Sequence, residues 1–155
     1  MKDGFLKAAA LSPALRVADC GYNAAQIVDA MRQCSQRGVK LAVFPELCLT
    51  GYTCGDLFLQ RTLQQGALDA LDQVLSASTG LDLVTLVGLP LLLHGKLYNC
   101  AAVVSGGRLL GLVPKTYLPN YAEFYEKRHF VPGSTQVETV TVCGQQTLFG
   151  TSLLF

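Results

Sequence analysis

The spacing of hydrophobic positions changes several times along this chain, and each change predicts a new element. Short apolar runs over residues 5–11, 41–44 and 83–89 predict strands, and the second shows no alternation, which is typical of a strand buried on both faces. Between the first two runs, apolar residues recur every three or four positions and predict a helix: Ala24, Ile27, Val28, Met31 and Cys34. The order strand, helix, strand predicts parallel pairing through a right-handed crossover.

The predicted helix boundaries depend on capping residues. Asn23 is followed three residues later by Gln26, which predicts a capping box at the start of the first helix, and Gly38 suits its end. A second helical pattern reaches to about Ser76, and Asp56 is the predicted N-cap of that region.

Glycines mark a hairpin in the second half of the chain. Strands predicted over 97–104 and 108–113 flank the Gly-Gly pair at 106–107, which is a strong hairpin signal. A last strand pair is predicted over 137–142 and 147–149. The chain is therefore predicted to be an α/β domain whose mixed sheet combines parallel and antiparallel strands.

Composition argues against several classes of protein. Half of the 155 residues are hydrophobic and the formal net charge is +1, so neither disorder nor nucleic-acid binding is expected. The longest apolar stretch, residues 83–93, is far shorter than the roughly 18 residues that a membrane span needs. Lys7 interrupts the apolar run that a signal peptide would need. We therefore expect a cytoplasmic protein that has no membrane partner.

Cysteine usage predicts reduced thiols. No Cys-x-x-Cys pair occurs among the six cysteines, which are Cys20, Cys34, Cys48, Cys54, Cys100 and Cys143. Three of them lie in apolar or periodic segments, where a thiol behaves as a small hydrophobic group. Cys48 and Cys54 flank a predicted turn, but no histidine stands at ligand spacing, so no metal site is expected.

Candidate chemistry concentrates at the ends of two predicted strands. Lys115 follows the strand over 108–113, and Glu46 follows the strand over 41–44. Residues 114–130 are also dense in charged and ionisable groups: Lys115, Glu123, Glu126, Lys127, Arg128 and His129. A carboxylate and an amine that meet at strand ends can act as a general base and as a fixed positive charge for an oxyanion. Taken singly, each residue is equally well explained as a surface or capping group.

Four stretches resemble the nitrilase, or carbon-nitrogen hydrolase, superfamily: residues 44–58, which begin Phe-Pro-Glu, and residues 87–90, 97–101 and 115–133. Phe-Pro-Glu alone marks only the superfamily. The two long stretches are more specific and resemble the N-terminal glutaminase domain of bacterial glutamine-dependent NAD synthetases. The resemblance extends from residue 4 to residue 155 and implies part of a four-layer α-β-β-α sandwich.

The resemblance also implies roles for five residues. Glu46 is the expected general base, Lys115 the group that stabilises the tetrahedral intermediate, and Glu126 a second glutamate that positions the lysine and the substrate. Tyr121 and Tyr52 are expected to line the glutamine site. The implied reaction hydrolyses glutamine to glutamate and ammonia through a cysteine thioester. A C-terminal synthetase domain would then use the ammonia, with ATP and Mg, to amidate nicotinic acid adenine dinucleotide to NAD.

The family's nucleophilic cysteine is expected shortly after residue 155, and none of the six cysteines occupies its position. We therefore expect residues 1–155 to be the N-terminal part of the glutaminase domain, inactive alone, without a cofactor of its own and without the synthetase domain. Its expected partners are glutamine, that domain and a second copy that covers an exposed sheet face, giving a homo-oligomer. Two alternatives remain. The chain could be part of a stand-alone amidohydrolase that acts on another amide, or it could be a non-catalytic assembly module.

Overall fold

A single seven-stranded sheet forms the centre of the computed structural model, which describes residues 4–155, and its strand order is β1-β2-β3-β4-β5-β7-β6. The strands are β1 (Ala8–Ala10), β2 (Leu41–Val43), β3 (Val84–Leu93), β4 (Lys96–Ser105), β5 (Arg108–Pro114), β6 (Glu138–Val142) and β7 (Gln145–Phe149). Strands β1, β2 and β3 pair in parallel, β3, β4 and β5 pair antiparallel, β7 lies parallel to β5, and β6 lies antiparallel to β7. The predicted mixed sheet and α/β class are confirmed.

Two long helices cover one face of this sheet. They are α1 (Cys20–Gln36) and α2 (Arg61–Ser78), and the remaining helices are a short α3 (Glu126–His129) and a 3₁₀ helix (Gly55–Leu59). α1 packs against α2, and α2 packs against β3, β4 and β5. The contact buries apolar side chains from all of these elements: Ile27, Met31, Leu71, Leu75, Val87, Leu89, Ala102 and Leu112. No helix within residues 4–155 has the length and apolar character that crossing a membrane requires.

The opposite face of the sheet is apolar but less buried. Because successive side chains in a strand point to opposite faces, Leu86, Ala101 and Val113 point away from the helices. All three are only half-buried, and Val43 on the neighbouring strand is exposed. This face therefore provides an open apolar floor beside the strand ends.

The start of α1 differs from the prediction. The N-cap is Asp19, whose side chain accepts a hydrogen bond from the Tyr22 backbone at 3.1 Å. Asn23 is fully buried inside the helix, where its amide bonds the backbone N–H and C=O of Arg16 and donates to the carbonyl oxygen of Leu49. The predicted capping box is wrong because Asn23 instead joins the helix to two loops.

The predicted N-cap of the second helix is also wrong. A 3₁₀ helix intervenes, and α2 begins after Gln60, which makes no side-chain capping bond. Asp56 lies in the 3₁₀ helix and bonds to Arg128, far away in the sequence. A carboxylate that pairs with a distant arginine cannot be told from a helix cap by local spacing.

Candidate active site

Glu46 and Lys115 meet although their strands are not neighbours. Lys115 follows β5, and its backbone N–H donates to the Asn99 carbonyl oxygen at 2.8 Å, which continues the pairing with β4. Glu46 follows β2, from which the chain crosses over β3. The Lys115 ammonium donates to Glu46 Oε1 at 2.7 Å. The acid and the amine that follow two separate strands are therefore in direct contact.

Gly88 permits this crossing. The loop that carries Glu46 passes so close to β3 that a Cβ atom added to Gly88 would lie 2.2 Å from the Leu47 amide nitrogen and 3.0 Å from the Pro45 carbonyl oxygen. Real Cβ atoms do not approach backbone atoms this closely. A residue without a side chain is therefore what lets the acid reach the far side of β3.

Glu126 holds the same amine from the other side. Its Oε1 atom accepts from the Lys115 ammonium at 2.9 Å and from the Tyr52 hydroxyl at 2.7 Å. Glu126 is only 5% exposed, whereas the side chain of Glu46 remains 40% exposed at the open face of the sheet. The lysine thus lies between one buried carboxylate and one that is accessible from solution.

The two carboxylates keep Lys115 charged. Burial lowers the pKa of its ammonium group, but the hydrogen bonds to Glu126 and Glu46 oppose that effect and outweigh it, so the pKa is raised above the ordinary 10.5. A lysine of this kind remains an ammonium group at neutral pH. It therefore suits the stabilisation of a developing negative charge and does not suit the role of general base.

Asn99 also belongs to the cluster, although the sequence did not identify it. It lies on β4, is 4% exposed, and its side-chain amide donates to Glu46 Oε1. The signal was an asparagine inside an otherwise apolar strand, because a buried amide needs a polar partner. That signal says a partner exists but does not say which one.

The two predicted substrate-binding tyrosines occupy different positions. Tyr52 is half-buried; burial, followed by the contact with Glu126, raises the pKa of its phenol. Tyr121 is 69% exposed and makes no described hydrogen bond to the cluster. It contacts the ring of Phe124 at 5.6 Å between ring centroids, and Phe124 contacts the ring of Tyr52 at 6.5 Å. Their roles toward a substrate stay predictions.

Cavities lie on both sides of the cluster. Glu46, Asn99 and Lys115 line a cavity of about 330 Å³ on the apolar face of the sheet. Tyr52 and Glu126 line a second cavity of about 240 Å³. A small polar substrate therefore has space next to the acid and the ammonium group.

No cysteine forms part of this cluster in the described chain. Cys100 follows Asn99, so its side chain points to the opposite, helix-covered face, where burial raises the pKa of its thiol. Cys48 is buried against the backbone of Gly88, and burial raises the pKa of its thiol to about 11. All six cysteines are free thiols. Residues 4–155 also contain no group of three or more His, Cys, Asp or Glu that could hold a metal ion.

The chain's similarity to known proteins agrees with this geometry. Residues 7–152 match the model of the carbon-nitrogen hydrolase family. The chain is 43% identical over 152 residues to the glutamine-dependent NAD(+) synthetase of Mycobacterium tuberculosis (strain ATCC 25618 / H37Rv), and the match covers 98% of this chain and 22% of that protein. The chain therefore spans about a fifth of the length of this curated relative.

Solved structures share the fold. A glutamine-dependent NAD(+) synthetase from Cytophaga hutchinsonii superimposes with a TM-score of 0.87 at 28% identity, over 94% of this chain and 25% of that one. An amidase from Nesterenkonia sp. superimposes with a TM-score of 0.70 at 21% identity, over 94% of this chain and 55% of that one. The amidase shows the fold alone, whereas the synthetases also share sequence with this chain.

Proposed function

Because this chain belongs to the carbon-nitrogen hydrolase family, we propose that it is the N-terminal part of the glutaminase domain of a glutamine-dependent NAD synthetase. The observation that carries the proposal is the Glu46–Lys115–Glu126 cluster, in which one ammonium group bridges two carboxylates at distances of 2.7 and 2.9 Å. The 43% identity along almost the whole chain supports the synthetase branch over a stand-alone amidase.

In the proposed reaction, Glu46 accepts the proton of a cysteine thiol, and the thiolate attacks the side-chain amide carbon of glutamine. We propose that this cysteine lies beyond residue 155 in a longer protein. The ammonium group of Lys115 is proposed to face the negative charge that develops on the amide oxygen, and its 2.7 Å contact with Glu46 supports this role. Glu46 returns the proton to the amide nitrogen, which leaves as ammonia, and water hydrolyses the remaining thioester to glutamate and the free thiol.

Glu126 has a supporting role in this proposal. It accepts hydrogen bonds from Lys115 and Tyr52 with the same oxygen atom, so it fixes the direction of the ammonium group. Tyr52 and Tyr121 are proposed to contact glutamine. Tyr52 lies close enough to act through Glu126, and Tyr121 lies at the exposed rim beside Phe124.

The proposal extends to partners. A C-terminal synthetase domain of the same protein would consume the ammonia, and ATP and Mg would bind to that domain. The half-buried apolar face of the sheet supports a homo-oligomer or a further layer of the same protein as its cover. Six free thiols are consistent with a reducing compartment, so we place the protein in the cytoplasm.

The proposal is tested by Glu46→Gln in the complete enzyme. Loss of a general base lowers rates by about 10²- to 10⁴-fold, so NAD formation from glutamine should almost disappear. NAD formation from added ammonia should persist, because the glutaminase step is bypassed. Glu138→Gln is the matched control, since Glu138 is a glutamate on β6 that contacts His94 and lies outside the cluster. Equal loss of both activities in Glu46→Gln would contradict the assigned role.

A further inference from the structure

A three-residue ion cluster joins the 3₁₀ helix to α3 on the protein surface. Arg128 donates from Nε to Asp56 Oδ1 at 2.8 Å and from Nη2 to Asp56 Oδ2 at 2.9 Å. His129 Nε2 lies 3.1 Å from Asp56 Oδ1. We propose that Asp56 and its two partners form a clamp that positions α3 so that Glu126 reaches Lys115. This inference rests on the proposed function, because it assigns a positioning role within the same site.

The geometry of the clamp is specific. An arginine that contacts both oxygens of one carboxylate fixes the plane and the direction of the pair, which a single lysine contact does not do. The hydrogen bonds of Arg128 and then of His129 hold the pKa of the Asp56 carboxyl well below its usual range. Asp56 therefore remains a carboxylate throughout the pH range in which the enzyme would be assayed.

The helix needs such contacts because it is very short. α3 has four residues, and one isolated helical turn is unstable in water. Residues 115–125, which lead into it, contain no helix or strand. The position of Glu126 therefore depends on its side-chain contacts and on one backbone hydrogen bond to the Pro119 carbonyl oxygen, because no long element carries it.

One loop supplies those contacts at both ends of α3. Tyr52 bonds Glu126, the first residue of the helix, and Asp56 bonds the last two residues. Phe58 packs against Phe130, just after the helix, with 5.0 Å between ring centroids. If the Asp56 contact is lost, the end of α3 keeps only this packing and the backbone hydrogen bond from Val131 to the Leu97 carbonyl oxygen, and the orientation of the Glu126 carboxylate is less restricted.

An exposed ion pair normally contributes little to stability, and this fact makes the inference testable. Removing a pair that has only a structural role would change neither the melting temperature nor the rate by much. Removing a pair that positions Glu126 would lower the rate of amide hydrolysis while leaving the melting temperature unchanged. The comparison of rate with stability therefore separates the two roles.

The test is Asp56→Ala in the complete enzyme, with kcat and KM measured for glutamine and the melting temperature measured in parallel. A displacement of about 1 Å near the reacting groups can lower a rate about 100-fold, so we expect kcat to fall about 10- to 100-fold with little change in KM or melting temperature. Asp82→Ala is the matched control, because Asp82 is an exposed aspartate whose pKa is lowered by its pairing with Lys40 far from the site. It should retain the wild-type kcat.

Two further variants test whether the residues act together. Arg128→Ala should lower kcat by no more than Asp56→Ala, which also removes the His129 contact. The double variant should be no worse than Asp56→Ala alone, because it removes no further contact of the clamp. Arg128→Lys keeps the charge but loses the two-pronged contact, so its kcat should be intermediate. An unchanged kcat in Asp56→Ala, additive losses in the double variant, or a fall in kcat that follows the melting temperature would each overturn the clamp.

Failure of the clamp is distinguishable from failure of the proposed function. If the wild-type enzyme does not hydrolyse glutamine, the proposed function is wrong. The ratio of the Asp56→Ala kcat to the wild-type kcat is then measured on the amide that the enzyme does hydrolyse. A low ratio on that amide supports the clamp, and a ratio near one overturns it.

Discussion

Gly88→Ala tests whether a close backbone crossing sets the position of Glu46. The added methyl group would lie 2.2 Å from the Leu47 amide nitrogen and 2.9 Å from the Glu46 carbonyl carbon. Restoring an ordinary contact of 3.4 Å requires the loop to retreat by about 1.2 Å, because both partners are backbone atoms and no side chain can rotate away. The backbone of Glu46 must move with it.

Two measurable effects follow from that displacement. Forcing a methyl group into a packed site costs about 1 to 3 kcal/mol of folding free energy. The 2.7 Å contact between Glu46 and Lys115 would lengthen beyond hydrogen-bond range, and a shift of this size lowers rates by about 100-fold. We therefore expect a much lower kcat for glutamine together with a modest loss of stability in urea unfolding.

The control is Gly21→Ala, because Gly21 lies in α1 and an added Cβ there meets no atom within 4 Å. This variant should keep full activity and gain about 0.5 to 1 kcal/mol of stability, since alanine favours a helix. Gly88→Ala with wild-type glutamine hydrolysis would refute the reasoning, since it would show that Glu46 does not depend on the crossing at β3.

Other variants and conditions examine the same cluster. Asn99→Leu removes the amide that bonds Glu46 and should lower kcat about tenfold or more. Asn99→Asp should lower kcat further by placing a third carboxylate beside Glu46 and Glu126, and the reverse order would contradict this reasoning. The raised pKa of Lys115 stabilises the folded state fully below the ordinary value of 10.5 and this stabilisation is lost as the pH rises through the folded-state pKa. The difference in the free energy of unfolding between wild type and Lys115→Met, measured in urea, should therefore stay constant near neutral pH and shrink above pH 10.5. A difference that is smaller at neutral pH than at pH 10.5 would count against the raised pKa. Because burial raises the pKa of the Cys48 thiol to about 11, iodoacetamide should label it at neutral pH only after unfolding, as mass spectrometry would show; rapid labelling of the folded protein would contradict its burial.

Local patterns predicted the elements well where neighbouring residues decide the structure. The turn at residues 106–107 and the two strands around it follow from glycine and from hydrophobic runs, and the structure confirms them. The helix starts were predicted less well. Asn23 and Asp56 look like caps from local spacing, but each bonds to a distant part of the chain. The competing partner was invisible because it lies outside the window that a cap pattern uses.

The residues of the candidate site were likewise predicted only in part. Glu46 and Lys115 could be identified because each follows an apolar run, and strand ends are where polar groups gather in layered folds. Asn99 carried no sign of its partner, since nothing local connects β4 to the end of β2. The degree of exposure of Glu46 was not predicted either, because it depends on which face of the sheet its loop crosses.

The sequence by itself determined the types of element, their order, and the acid and amine that end two strands. Only the tertiary structure decided that these groups share one hydrogen-bonded cluster, that Gly88 admits the crossing loop, and that Asp56 bonds an arginine 72 residues away. The physical reason is the separation along the sequence of the residues involved. Hydrophobic periodicity depends on neighbouring residues, whereas the partner of a polar side chain depends on segments that meet only after the sheet has formed.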